Sequence, residues 1–437
     1  MAKRNIVKTI RPCSRLEGEL ALPGDKSISH RAVILNSLAS GRAEIANFAP
    51  GKDCCSTVSC LRALGMEIRR KGPYDCPTLL ISGIGRDGLK EPANILNAGN
   101  SGTTMRLLGG LLSSQPFLSI ITGDASVRSR PMERLIRPLR SMGAEIYGRG
   151  EDSFAPLVIR GKKLHGIEFS LPIPSAQIKS AILLAGLFAR GETVLHQPIP
   201  SRDHTERLLK QMGAELAIDG NSLSLTPLTG SLTSISFRIP GDISSGAYFL
   251  IAAAVHPDAR IIIKDCGINP TRTGIIDVLL AMGANIKIEN ERMEAGEPLA
   301  DIVIESSELR GVEIGGDIIP RLIDEIPVLA VAGCAAKGKT VIKDASELRV
   351  KESDRIATVS RELSRLGAQI EPLPDGMVIN GGNPLVGAEV DAHFDHRLAM
   401  SLAIAGLVAK GRTTINHAQA AQVSYPAFWL DLQNLTS

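Results

Sequence analysis

The chain has 437 residues, 44% hydrophobic and 22% charged, with a net charge of +3. That length exceeds one ordinary core and points to two or three domains of a soluble globular protein. The mild basicity argues against a nucleic-acid face, and 3% aromatic content with a single Trp argues against a stacking platform for single strands.

The opening "MAKRNIVKTIRP" carries basic residues but no apolar signal core, and no apolar run is long enough to span a bilayer, so no membrane association is expected. "LPGDKSISHR", Leu22 to Arg31, looks at first like a phosphate loop. Asp25 separates Gly24 from Lys26, and no Gly stands five residues before Gly24, so the ATP-type loop is rejected. The apolar run "AVILNSLA" predicts a helix beginning just after Arg31. Lys26, Ser27 and Arg31 then crowd a helix N-terminus, where free N–H groups and the dipole favour phosphate or carboxylate. A capped helix with solvated charges is the alternative. Cys54, Cys55 and Cys60 cluster without a C-x-x-C pair and read as reduced, buried thiols of a cytoplasmic protein, not as a zinc site.

"GIGRDG", Gly83 to Gly88, matches the dinucleotide pattern, but Pro92 follows where a helix should open, so a β-turn is expected. "NAGNSGTTMR" places Gly99 and Gly102 for close backbone approach, with Ser101, Thr103 and Thr104 available as caps. It is either a second anion site or simply a well-capped buried helix. "GDASVRSRPM" sets Arg128 and Arg130 before Pro131, which suits the first position of a helix. Cations there oppose the dipole unless an anion lies between. "PSAQIKSA" and "PSRDHTER" start two further helices with polar residues, the latter with Ser201, Arg202 and Asp203.

The second half adds carboxylates. Asp324 and Glu325 precede the apolar helix of "IPRLIDEIPVLA". "LRVKESDRIA" holds Lys351, Glu352, Asp354 and Arg355, which alone reads as a salt-bridged surface helix. "HFDHRLAM" holds His393, Asp395, His396 and Arg397; its two His lack a third ligand, so no metal is expected.

Two elements recur along the chain. "LRALGMEI", "LRSMGAEI", "LKQMGAEL", "LLAMGANI" and "LSRLGAQI" each end a helix on a Gly and start a strand, with Gly65, Gly143, Gly213, Gly283 and Gly367 at the switch. Six helices rich in small apolar residues, from "ILNSLASGRAEI" to "LAIAGLVAKGRTTI", each lead through a turn into a β-rich run. The turn moves from Gly41 to Gly411 in five steps of about 74 residues. Six α/β units, three per domain, follow, with the small-residue helices buried on every side. Cation-rich helix starts in both halves suggest a cleft that binds polyanionic small molecules.

Eight motifs in order, "LPGDKSISHR", "GNSGTTMR", "GDASVRSRPM", "SAQIKSA", "PSRDHT", "LIDEIP", "RVKESDR" and "DHRLAM", resemble the 5-enolpyruvylshikimate-3-phosphate synthase family over nearly the whole chain. The resemblance implies an α/β fold of two similar domains, each of three βαβαββ repeats, with the active site in the interdomain cleft. Residues 21–238 would form the first domain, and residues 1–20 and 239–437 the second. It implies transfer of the enolpyruvyl group of phosphoenolpyruvate to the 5-hydroxyl of shikimate 3-phosphate, with release of phosphate. A monomer is expected, in the cytoplasm, with no metal and no organic cofactor, and no nucleic-acid or membrane partner.

Carried over by motif, Lys26, Ser27, Arg31, Ser175, Ala176, Gln177, Arg202, Asp324 and Lys351 would hold shikimate 3-phosphate. Lys26, Gly102, Arg130, Gln177, Arg355 and Arg397 would frame phosphoenolpyruvate. Asp324 would be the base, Glu352 its partner in proton transfer, and Lys26 and His396 supporting catalytic groups. Three departures look like the second, less glyphosate-sensitive branch. Ser126 stands where the better-known branch has an Arg, Val423 replaces a Lys, and Glu347 falls on an Asn. The rivals are the enolpyruvyl transferase acting on UDP-N-acetylglucosamine, whose loop Cys has no counterpart in "GDASVRSRPM", and a non-catalytic anion-binding repeat scaffold.

Overall fold

A computed structural model of the protein describes residues 5–436. The chain forms two compact units. One takes Gly24–Ile239 with Glu294–Glu297; the other takes the chain up to Pro23, Pro240–Met293, and the chain from Pro298 on. These are the first and second units, respectively.

Among the described residues each unit contains three small sheets, and five of the six share one pattern, a parallel pair followed by two antiparallel neighbours, while the sixth has a parallel pair and one antiparallel neighbour. In the first unit, Leu96–Asn97 runs parallel to Leu118–Thr122, which pairs antiparallel with Phe154–Arg160, which pairs antiparallel with Glu145–Arg149. Reading the elements along the chain gives βαβαββ. The first repeat is completed from far away, because Leu232–Thr233 and Phe237–Arg238 supply the strands parallel to Ala39–Ala46. The second unit does the same with its early residues. Leu16–Ala21 runs parallel to Ala259–Gly267, and Lys8–Ile10 pairs antiparallel with Thr413–Asn416.

The recurring Gly has a backbone reason. Gly65 and its four counterparts take φ between 86° and 95°, which ends the preceding helix in a left-handed residue and turns the chain into the next strand.

The small-residue helices are the core. Lys26–Ser37, Gly102–Leu112 and Ala176–Gly186 in the first unit are buried along most of their length. So are Ile243–Val255, Ile326–Ala335 and His396–Val408 in the second. Small side chains let their backbones approach. A Cβ on Gly110 would lie 2.2 Å from the Ala181 carbonyl oxygen, so only Gly fits between those two helices.

Three expectations are corrected. The first helix starts at Lys26, not after Arg31, because Asp25 caps it by accepting the Ile28 N–H at 2.9 Å. Arg31 therefore lies in the second turn. Pro131 is not a first helical position. The segment Ala125–Arg128 is a short helix of its own, capped by Asp124, and the next helix begins at Glu133. Arg128 thus sits exposed at a helix C-terminus, where the dipole favours a cation. Cys55 is exposed, whereas Cys54 and Cys60 are buried. Adjacent positions of one helix point about 100° apart, so Cys54 and Cys55 cannot share its buried face. Burial pushes the Cys60 thiol up to about 12. "GIGRDG" ends a strand and opens no helix, as expected.

Among the described residues no helix is long and apolar enough to cross a membrane, and no group of three His, Cys, Asp or Glu could hold a metal ion.

Candidate active-site residues in the two units

The motif residues collect at the N-terminal ends of the core helices. Asp25, Ser101, Ser175, Asp242 and Asp395 are the N-caps, each accepting a backbone N–H of its own first turn. Such caps contribute about 1 kcal/mol each. They leave other first-turn N–H groups and the positive dipole end beside Lys26, Ser27, Gly102, Ala176, Gln177, His396 and Arg397.

In the first unit two groups of side chains form. Arg31 is 3% exposed and anchors one of them. Its Nε donates to Thr205 Oγ1 at 2.6 Å, and its terminal nitrogens donate to Ser180 Oγ at 2.7 Å and the Ser27 carbonyl at 2.9 Å. Burial lowers the Arg31 guanidinium to about 10, against the pull of Glu206 and Asp25. Arg202 reaches Ser27 Oγ at 3.5 Å, so Ser27, Arg31, Ala176 and Arg202 share one neighbourhood. Lys26, 25% exposed, pairs with Asp53 at 2.9 Å.

The second group surrounds Gly102. Gln177 accepts from Arg106 at 2.7 Å and donates to Thr103 Oγ1 at 2.9 Å. A Cβ on Gly102 would stand 2.8 Å from Arg106 Nη1 and 3.2 Å from Arg130 Nη1. Arg130 also donates to Ser126 Oγ at 3.3 Å. Glycine here leaves two guanidinium groups beside a helix N-terminus, an arrangement suited to a phosphate or carboxylate.

In the second unit the centre is Arg355, whose side chain is 2% exposed. Its Nε donates to Asp395 Oδ2 at 2.9 Å, Nη2 to Glu352 at 2.6 Å, and Nη1 lies 3.4 Å from Asp324. Burial opposes its charge, but Asp395, Glu352 and Asp324 outweigh it and raise its pKa. Burial likewise pushes the Asp395 carboxyl up, and Arg355 overcomes this to hold it below the usual range. The "KESDR" motif is therefore no surface salt-bridge helix. Lys351 and Glu352 lie in the bend before the helix Arg355–Arg365, and Arg355 turns inward because three carboxylates meet it.

Arg397, 5% exposed, donates to the Ser244 carbonyl at 3.1 Å and lies 3.5 Å from Tyr248 Oη. His396 is buried beside it. Glu347 and Val423 occupy short 3₁₀ segments, Ser346–Val350 and Ala418–Val423.

Sequence reading missed several partners. Asp53 lies outside every motif, and Thr205 and Ser180 lie within "PSRDHT" and "SAQIKSA", but nothing in those motifs marks them as partners of Arg31. Arg106 had one: a lone cation inside the apolar helix Gly102–Leu112. Asp395 was in view, but its grip on Arg355 was not. Arg272 was also missed; it donates to Ser244 Oγ at 2.7 Å and Asp242 at 3.2 Å, and Ser244 in turn donates to Glu325.

A family profile described as EPSP synthase (3-phosphoshikimate 1-carboxyvinyltransferase) matches residues 10–432. The chain is 54% identical over 422 residues to the 3-phosphoshikimate 1-carboxyvinyltransferase of Gloeobacter violaceus, covering 96% of this chain and 97% of the relative. It is 53% identical to that of Herpetosiphon aurantiacus, with 97% of each covered. The 2.37 Å structure of EPSP synthase from Acinetobacter baumannii superposes with a TM-score of 0.87 at 43% identity, covering 99% of this chain and 98% of that one.

Proposed function

The chain belongs to the EPSP synthase (3-phosphoshikimate 1-carboxyvinyltransferase) family, and from that premise we propose which of its residues carry the reaction. It transfers the enolpyruvyl group of phosphoenolpyruvate to the 5-hydroxyl of shikimate 3-phosphate and releases phosphate. In our reading the hydroxyl attacks C2 of phosphoenolpyruvate while its proton passes to Asp324, and the methylene carbon gains a proton with Glu352 taking part. The resulting tetrahedral ketal then loses a proton from its methyl group and expels phosphate, which restores the double bond.

Lys26, Ser27, Arg31, Ser175, Ala176, Gln177, Arg202, Asp324 and Lys351 hold shikimate 3-phosphate in this reading. Lys26, Gly102, Arg130, Gln177, Arg355 and Arg397 hold phosphoenolpyruvate, with Lys26 and His396 as supporting catalytic groups. Each phosphate brings a charge of about −1.5 to −2, so convergent Lys and Arg side chains are required. The observation that carries the assignment is the gathering of Ser27, Arg31, Ala176 and Arg202 within hydrogen-bond reach of one another, although they come from three separate motifs. We further propose a monomer acting in the cytoplasm; seven unbridged cysteines support that compartment.

Phosphate release from phosphoenolpyruvate tests the assignment: it is expected with shikimate 3-phosphate and absent with UDP-N-acetylglucosamine or with no acceptor. Release with the nucleotide sugar alone would move the chain to the other transferase, and no release with any acceptor would favour a binding scaffold. Lys26→Met is expected to weaken both substrates, because one ammonium is shared between them. Separate binding titrations check this, and weakening of only one ligand would remove Lys26 from the other's site.

A further inference from the structure

The turn that delivers Asp395 to Arg355 is strained and heavily braced. His393 and Phe394 are consecutive non-glycine residues with φ of 47° and 57°, a conformation that L side chains rarely adopt and that a glycine would take without strain. The chain instead places two rings there, and both are held. The His393 ring lies between Glu362 and Arg361: its Nε2 is 2.8 Å from Glu362 Oε1 and 2.7 Å from Arg361 Nη2. The Phe394 ring packs on His417, with centroids 4.1 Å apart. Asp391 Oδ1 accepts the His393 N–H at 2.7 Å and lies 2.8 Å from His417 Nδ1. Asp395 N–H then closes the turn on the Ala392 carbonyl at 2.8 Å.

Glu362 connects this turn to Arg355. Its side chain is fully buried, and besides His393 it accepts the Asp391 N–H at 3.0 Å and faces Arg361 and Arg365. Arg355 and Glu362 are seven residues apart on the helix Arg355–Arg365, so they present the same face two turns apart. One helix therefore grips one turn twice, through Arg355–Asp395 at its start and Glu362–His393 near its end.

We propose that His393 is a positioning residue for phosphoenolpyruvate: bracketed by Glu362 and Arg361, it locks the left-handed turn that sets Asp395 against Arg355 and so aims the Arg355 guanidinium at the substrate. This rests on the reading that Arg355 binds phosphoenolpyruvate. Carrying a hydrogen, Nε2 donates to Glu362, and without one it accepts from Arg361, so either tautomer keeps the ring tied to the helix Arg355–Arg365. The brace explains why side chains, not glycines, occupy the turn.

The test uses His393→Gly, which removes the ring and relaxes the backbone, and His393→Gln, whose amide can donate to Glu362 and accept from Arg361. Arg355→Lys is the reference. His393→Gly is expected to raise KM for phosphoenolpyruvate on the order of tenfold, since small misplacements of a binding group are costly. KM for shikimate 3-phosphate and the urea midpoint should stay near the parent values, and His393→Gln should recover most of the loss. Parent-like kinetics in His393→Gly, an equal rise in both KM values, or no recovery with Gln would each overturn the proposal. If Arg355→Lys leaves KM for phosphoenolpyruvate unchanged, the reading of Arg355 itself fails. If Arg355→Lys raises it and His393→Gly does not, only the brace fails.

Discussion

Asp324→Asn is expected to lower the turnover number by about 10²–10⁴-fold, the usual loss for a general base, while substrate binding changes far less. The substitution keeps the shape of the side chain and one acceptor oxygen, and removes the group that takes the proton. The surroundings favour a clean outcome. Asp324 lies in the turn between the helices Ile319–Leu322 and Ile326–Ala335, and its Oδ1 is 3.4 Å from Arg355 Nη1. Arg355 holds Asp395 and Glu352 more closely, at 2.9 and 2.6 Å, so the amide should leave that anchor in place. Steady-state kinetics with both substrates varied, together with titrations of each ligand, give the answer. An unchanged turnover number would remove Asp324 from the proton transfer.

Arg355→Met is expected to act on stability as well as activity. Asp395 is fully buried, and the substitution strips it of its guanidinium. Breaking a buried pair by removing one partner typically costs about 3–5 kcal/mol, so the thermal or urea midpoint should fall clearly. The pH dependence should move too. In the parent the Asp395 carboxyl titrates below its ordinary range, so it contributes stability above its unfolded pKa that is lost as pH falls toward the folded one. Without Arg355, the largest influence holding the carboxyl down is gone and burial pushes it up against the remaining Arg397 N–H and Ser353 hydrogen bonds, so the acid limb of the stability profile should shift to higher pH. A second change, Asp395→Asn on the Arg355→Met background, should restore part of the stability, since the stranded charge is gone, but none of the activity. If the double variant is no more stable than Arg355→Met, the cost does not come from the unpaired carboxylate.

The repeats, the core helices and the helix-start motifs could all be read without a structure, because each is written in contiguous residues. A helix cap and its first-turn ligands lie within a few positions, as do a helix end and the Gly that terminates it, and local backbone chemistry dictates both. Asp25–Lys26–Ser27, Ser101–Gly102 and Asp395–His396–Arg397 carry their meaning in order. The errors arose where two local signals competed. Asp25 as a cap outweighed the apolar run after Arg31 in setting the helix start, and Asp124 captured Ala125–Arg128 as a separate turn ahead of Pro131.

The partner of each charge was decided only by the tertiary structure. Lys26 meets Asp53 across 27 residues, Arg355 meets Asp395 across 40, and Arg106 meets Gln177 across 71. Nothing near any of these residues names its partner. The choice depends on which faces of which helices the packing of Gly110 against Ala181, and its counterparts, bring together. For the same reason "KESDR", a surface pattern by composition, became a buried centre: Asp395 and Asp324, from separate segments, join the motif's own Glu352 in outweighing the burial of one guanidinium. Local sequence determined where the helices start and what they carry there, because capping and propensity act over a few residues. Only the packed fold decided which cation faces which carboxylate, because ion pairing between segments depends on distances that the chain sets in three dimensions.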